Sequence, residues 1–237
     1  MKNLISHDVT HSSFIDYYGE SRPAGETTWD FFELSPLNRQ NLACSIGRVT
    51  GSGIAASFTL ASLQAFLRGI SPYHGANAAE LMRDLNRIIY EISPDDFYSS
   101  LFYAWIDPVR GQLDYASAGH APAWLVHQHD CRVSRLENTG TVLGLSLRVN
   151  YRKSSVPLEP SDLLIVASDG VTDSLCDDEI LRIARREKQA RPASVVRDIL
   201  DSTRPSRDCT VVAIRMKERL QTGVFQASAA EVAFAAA

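Results

Sequence analysis

The sequence predicts an α+β fold of two packed sheets flanked by helices. Three observations lead there. Strand-like segments outnumber helical ones along the chain. The helical segments come as two adjacent pairs inserted between strands. No repeat or Pro/Gly/Ser-rich linker divides the 237 residues, a length that one core can hold.

The elements follow in order. Phe14 to Gly19 has strand composition, and Phe31–Leu34 and Leu42–Ile46 succeed it across a Pro/Asn/Arg turn at 36–39, which reads as an antiparallel meander. Past Gly51-Ser52-Gly53 the period changes. Ala56, Leu60, Leu63, Leu67 and Ile70 recur at helical spacing and predict a helix over 54–70. Leu81, Leu85, Ile88, Ile89 and Ile92 form the stripe of a second helix over 77–92, closed by Ser93-Pro94. Strands are expected over 98–106, 113–118, 122–127 and 150–157. Leu163–Ala167 is a continuous apolar run, suited to a strand covered on both faces. Two short helices near 177–187 and 193–202 precede a last strand over 210–215. The folded domain is placed at 13–217. Residues 1–12 form an N-terminal extension, and 218–237 form an Ala-rich tail with no partner in the pattern.

Composition removes several classes of function. A net charge of −4 gives no basic surface for nucleic acid. No apolar run approaches the ~20 residues of a membrane span. Met1-Lys2-Asn3-Leu4 leads into polar residues rather than a signal peptide. The expectation is a cytoplasmic protein without nucleic-acid or membrane partners. Cys44, Cys131, Cys176 and Cys209 lack C-x-x-C spacing and read as reduced thiols rather than a disulfide framework or zinc site.

Three strand ends finish in turns that could carry chemistry: 46–53, 166–171 and 205–210. Gly51-Ser52-Gly53-Ile54-Ala55-Ala56 fits G-x-G-x-x-A, yet no Asp or Glu occurs between Glu33 and Glu80 to hold a ribose, and the preceding strands are no β-α-β unit. Asp169-Gly170 sets an acid on a tight turn after a buried strand, which can aim a carboxylate at a metal or simply close an Asx turn. His120, in Gly119-His120-Ala121-Pro122, is a general-base candidate with a structural alternative. His74, His127 and His129 lack metal-ligand spacing and are expected at the surface.

Taken together these segments resemble the metal-dependent, type 2C (PPM) serine/threonine protein phosphatases, in their bacterial SpoIIE-like branch, over roughly residues 13–217. Pro23 to Phe32 is similar to G-G-D-x-Y-D-F-F, and Ile46 to Ala56 to I-G-D-V-x-G-H-G-x-x-A. Ala118-Gly119-His120-Ala121-Pro122 is similar to A-G-H-x-P, and Val142-Leu143-Gly144 to the P-L-G after it. Leu158 to Asp173 resembles L-x-x-G-D-x-L followed by T-D-G-V-x-E, and Arg207 to Val212 stands where D-D-x-T-x-x belongs.

The resemblance implies a four-layer α-β-β-α sandwich of two antiparallel sheets. It also implies two Mn²⁺ or Mg²⁺ ions that activate a hydroxide against a phosphoserine or phosphothreonine. The four aspartates that would hold the ions fall on Thr27, Arg48, Asp169 and Arg207, so only Asp169 survives. Three lost negative charges and two gained positive ones make a swing of five. One guanidinium about 4 Å from a divalent ion, at an effective dielectric near 20, opposes it by roughly 8 kcal/mol. Asp30 and Asp208, with Gly170, are the spare donors beside Asp169 if any metal binds; otherwise no cofactor is expected. Arg48, Arg207, Gly51 and Gly53 are phosphate-binding candidates, through guanidinium forks and the helix start. The arginines are expected to converge, facing Asp169 and one of Asp30, Asp173 or Asp208. The implied function is a pseudophosphatase that binds a protein: a phosphorylated anti-anti-sigma (STAS-like) protein or an active phosphatase in a partner-switching pathway. The alternative is a working Mn²⁺/Mg²⁺-dependent phosphatase acting on such a partner.

Overall fold

The computed structural model describes residues 14–38, 40–94, 97–186, 190–204 and 206–217. The expected extension 1–12 and tail 218–237 lie outside them. The elements are β1 (Ile15–Arg22), β2 (Asp30–Pro36), β3 (Leu42–Val49), α1 (Gly53–His74), α2 (Ala78–Ile92), β4 (Ser99–Asp107), β5 (Gln112–Ala118), β6 (Ala123–Val126), β7 (Val133–Leu136), β8 (Ser154–Pro157), β9 (Leu163–Ala167), α3 (Asp169–Thr172), α4 (Asp177–Arg185), α5 (Pro192–Ser202) and β10 (Cys209–Met216). One sheet has the order β1-β10-β9-β6-β7 and the other β2-β3-β4-β5-β8, and every pairing is antiparallel.

Period-2 alternation sorts the strands' side chains into layers. Cys44 and Ile46 of β3, Leu164 and Val166 of β9, and Val212 and Ile214 of β10 point into one cluster between the sheets. The alternate residues Leu163, Ile165 and Ala167 join Val171, Ile180, Val196 and Ile199 beneath α3–α5. On the other outer face, Ala43 and Tyr103 pack with Leu63, Leu67, Leu81, Leu85 and Ile89 of α1 and α2. Three apolar interfaces make four layers, and the expected α-β-β-α sandwich is the one observed.

The first strands depart from the expected meander. β2, β3, β4 and β5 do follow one another, but β1 pairs with β10 along its whole length, from Ile15↔Met216 to Arg22↔Cys209. The chain crosses between sheets over 23–29, so β1 and β2 face each other across the core instead of pairing. Gly19 reflects this: a Cβ there would stand 2.5 Å from the Phe32 ring of the facing sheet. Two short elements, β7 and α3, were not anticipated, since four-residue segments carry too little periodicity to be seen. The 22-residue α1 is, by length and composition, apolar enough to cross a membrane, contrary to the sequence expectation. In the fold it lies along the β2–β5 sheet with Ala56, Thr59, Leu63, Leu67 and Ser71 buried.

Candidate functional site

The inward stripes that fill the core end in polar residues at the edge where β3 runs out toward α1. On β3 the stripe Cys44–Ile46 continues to Arg48. On β2, Phe32 is preceded by Asp30, the direct register partner of Arg48. On β10 the stripe Ile214–Val212 continues to Thr210, on β1 Tyr17 and Gly19 lead to Ser21, and past β9 comes Ser168. Alternation alone therefore drives these five polar side chains into the mouth of the sandwich.

They meet there. Arg48 Nη1 donates to Asp30 Oδ1 at 2.8 Å and reaches Asp208 Oδ2 at 3.4 Å. Thr210 Oγ1 donates to the other oxygen of Asp30 at 3.1 Å and lies 2.8 Å from Ser21 Oγ. The Ser168 hydroxyl also bonds Asp30 while accepting the Thr210 N–H at 2.9 Å. Asp208 accepts the Ala24 and Trp29 N–H groups at 2.9 and 3.0 Å, which ties the 23–29 crossover down. Burial pushes the Asp30 carboxyl above the usual carboxylate range, against the pull of Ser168 and Arg48, with Asp208 adding repulsion.

Asp169 follows Ser168 at the start of α3, half-buried, and makes no ion pair among the described residues. Gly170 lets it approach: a Cβ there would stand 2.1 Å from the Asp208 carbonyl oxygen, so any side chain would force α3 off β10. His120 is buried nearby, close enough to feel the Asp169 charge, and its Nδ1–H donates to the Ala121 carbonyl at 2.9 Å. Burial lowers its pKa, so it is a neutral ring bonded to the backbone.

The other expected site residues scatter. Thr27 is exposed on the crossover. Arg207 is exposed and pairs with Asp173 at 2.9 Å on the surface, so the two arginines divide between different carboxylates. Neither contacts Asp169 through an ion pair among the described residues. Gly51 and Gly53 adopt φ of +96° and +72° in the turn before α1, and Gly51 is held against the Phe97 ring. Ser52 caps α1 without a side-chain hydrogen bond. Sequence reasoning missed Ser21, Ser168 and Thr210; the period-2 extension of each stripe was the signal available.

These donors do not fit a binuclear Mn²⁺ or Mg²⁺ centre. Hard cations need carboxylate oxygens, but Asp30 and Asp208 are already held by a guanidinium that cannot deprotonate. Thr27 and Arg207 bring no carboxylate.

Residues 38–217 match the family model described as Stage II sporulation protein E (SpoIIE). A curated relative is phosphoserine phosphatase RsbU of Bacillus subtilis, 27% identical over 172 residues that cover 73% of this chain and 51% of that protein. The chain thus spans about half of that relative's length, or less for the others it matches. Among solved structures, the RsbU and RsbW domains of Rv1364c from Mycobacterium tuberculosis superpose with a TM-score of 0.75 at 21% identity, covering 86% of this chain and 62% of that one. The catalytic domain of the serine/threonine phosphatase PstP in complex with two manganese ions gives 0.69 at 14% identity, over 86% of this chain and 99% of that one. The chain belongs to the SpoIIE family of PP2C-type phosphatase domains.

Proposed function

We propose that this SpoIIE-family chain is a pseudophosphatase: it keeps the phosphatase sandwich, lacks binuclear-metal hydrolysis, and acts by holding a protein partner. The observation that carries this reading is the Arg48–Asp30–Asp208 cluster, where a permanent guanidinium charge sits among the carboxylates that a cation would need. Thr27, Arg48 and Arg207 stand at three of the four positions implied to hold the ions. The relation to RsbU, and the solved pairing of RsbU and RsbW domains in one chain, support a partner-switching context. The partner class we propose is a phosphorylated anti-anti-sigma (STAS-like) protein or an active phosphatase, in the cytoplasm.

The test is turnover of p-nitrophenyl phosphate and a phosphoserine peptide in excess Mn²⁺, wild type beside Asp169→Asn. Equal background rates are expected. A wild-type rate that Asp169→Asn abolishes would restore the alternative, a working Mn²⁺/Mg²⁺-dependent phosphatase, which the Asp169 carboxylate, without an ion pair among the described residues, favours.

A second binding mode rests on the half-exposed Arg48 at the end of β3, with the exposed Arg207 as a further candidate: recognition of a phosphorylated side chain without hydrolysis. It requires Arg48 to share its donors with an incoming phosphate. Titration with the same phosphopeptide should then weaken in Arg48→Ala, and indistinguishable weak binding by both proteins would end the idea.

A further inference from the structure

The opposite end of the inter-sheet core holds a second polar cluster that the phosphatase reading leaves unused. Asp162 precedes β9 and Asp169 follows it, so five strand residues, on the order of 17 Å, separate them. The same stripe logic builds the cluster. Ala123 and Leu125 of β6 lead to His127, Leu136 of β7 is preceded by Ser134, and Leu164 of β9 is preceded by Asp162. The His127 side chain is 1% exposed and that of Asp162 0%.

His127 Nδ1 lies 2.9 Å from Asp162 Oδ2, and its Nε2 lies 3.0 Å from Ser134 Oγ. Asp162 Oδ2 also accepts the Glu159 N–H at 2.9 Å. The other oxygen, Oδ1, is buried without a hydrogen-bond partner among the described residues. Glu159 is exposed beside them, and one ligand atom from each of His127, Glu159 and Asp162 lies within 4.8 Å of the others.

With the ring proton on Nε2, donated to Ser134, the Nδ1 lone pair faces a carboxylate oxygen across 2.9 Å. Two acceptors that close need a cation between them, which is either a proton or a metal ion. A proton leaves Oδ1 orphaned in the interior, against the rule that buried polar atoms are paired. A metal ion draws on the whole carboxylate and also engages Glu159, whose side chain makes no ion pair among the described residues. Imidazole nitrogen with two carboxylates suits Zn²⁺ and its first-row neighbours, whereas Mg²⁺ and Ca²⁺ prefer all-oxygen shells. The outer partners are in place as well: Ser134 orients the ring and the Glu159 N–H orients the carboxylate.

We propose that His127, Asp162 and Glu159 form a site for a first-row divalent cation of the Zn²⁺ class, fastening the 158–162 turn to the β6–β7 hairpin. This site is independent of whether the family's own site turns over.

Calorimetric titration of the full chain with ZnCl₂ alone tests it, in a Cys131→Ser/Cys176→Ser background because both thiols are exposed. One saturable equivalent is expected, with affinity reduced at least tenfold by Glu159→Gln, which removes only an exposed carboxylate. Co²⁺ substitution should give visible bands that His127→Asn shifts, and Asp169→Asn should change nothing. Absence of saturable binding, equal affinity in Glu159→Gln, or loss of binding in Asp169→Asn would each overturn the assignment.

Discussion

The two ends of the inter-sheet core are built alike and solve opposite problems. Each inward stripe of apolar residues runs out in polar side chains, and both ends bury aspartates that would otherwise be costly. At the α1 end, Arg48 supplies a fixed positive charge to Asp30 and Asp208. At the far end, Asp162 faces the His127 imidazole and keeps one of its own oxygens without a hydrogen-bond partner among the described residues. A guanidinium closes a site permanently, because it can neither lose its proton nor be exchanged. An imidazole leaves the position open to whatever cation the solution offers.

The largest effect should come from Arg48→Leu, which strands two buried carboxylates. Loss of one partner of a buried pair costs 3–5 kcal/mol, and the 30% exposure of the Arg48 side chain lowers the expected value to about 3 kcal/mol in urea unfolding. The deficit should grow with pH. Asp30, already raised by burial, can take a proton in the folded variant, so stability falls as pH rises through that raised value. A flat deficit below 1 kcal/mol would mean that the cluster does not depend on Arg48. Asp162→Ala should cost somewhat less, about 2 kcal/mol, since the His127 ring and the Glu159 N–H lose one shared acceptor and no carboxylate is left behind. If it costs more than Arg48→Leu, the contrast between the ends is reversed.

His120 sharpens the contrast through pH. Burial holds its folded pKa below the ordinary 6.5, so below about pH 6.5 the unfolded chain binds a proton that the native chain refuses. Stability is full above that value and falls as pH drops through it. His120→Gln should lose this component in urea midpoints measured from pH 8 to 5, and an unchanged profile would contradict a neutral buried ring. The smallest effect belongs to Arg207→Ala. Its pair with Asp173 is more than half exposed, and the expected change is within 0.5 kcal/mol.

Much of this was legible in the residues. The helices around Leu63–Leu67 and Leu81–Ile89, the doubly covered β9 and two sheets flanked by helices follow from period and composition, whereas the four-layer order was what the family resemblance implied. The pairing of β1 with β10 was not, because a crossover of seven residues (23–29) can lead to the same sheet or the facing one, and only long-range register decides. Asp30 and Asp208 were identified as spare carboxylates near Arg48, but Arg207 was expected to join them. Its place on the exposed loop just before β10 lets it turn outward to Asp173. His127 was read as a surface residue, because β7, only Val133–Leu136 and flanked by Asp130 and Arg132, gave no sign of a hairpin that would carry it inward.

On the proposed reading, the Arg48 guanidinium takes the place of a cation between Asp30 and Asp208, and neither Thr27 nor Arg207 brings a carboxylate to that mouth. Thermal unfolding with and without Mn²⁺ tests it most directly, in a Glu159→Gln background that silences the far end. The chain with native Thr27, Arg48 and Arg207 should show no rise in Tm, while Thr27→Asp/Arg48→Asp/Arg207→Asp should gain about 2.7 kcal/mol of stability at a hundredfold excess over Kd. A Mn²⁺-dependent rise with the native residues, abolished by Asp169→Asn, would contradict the account.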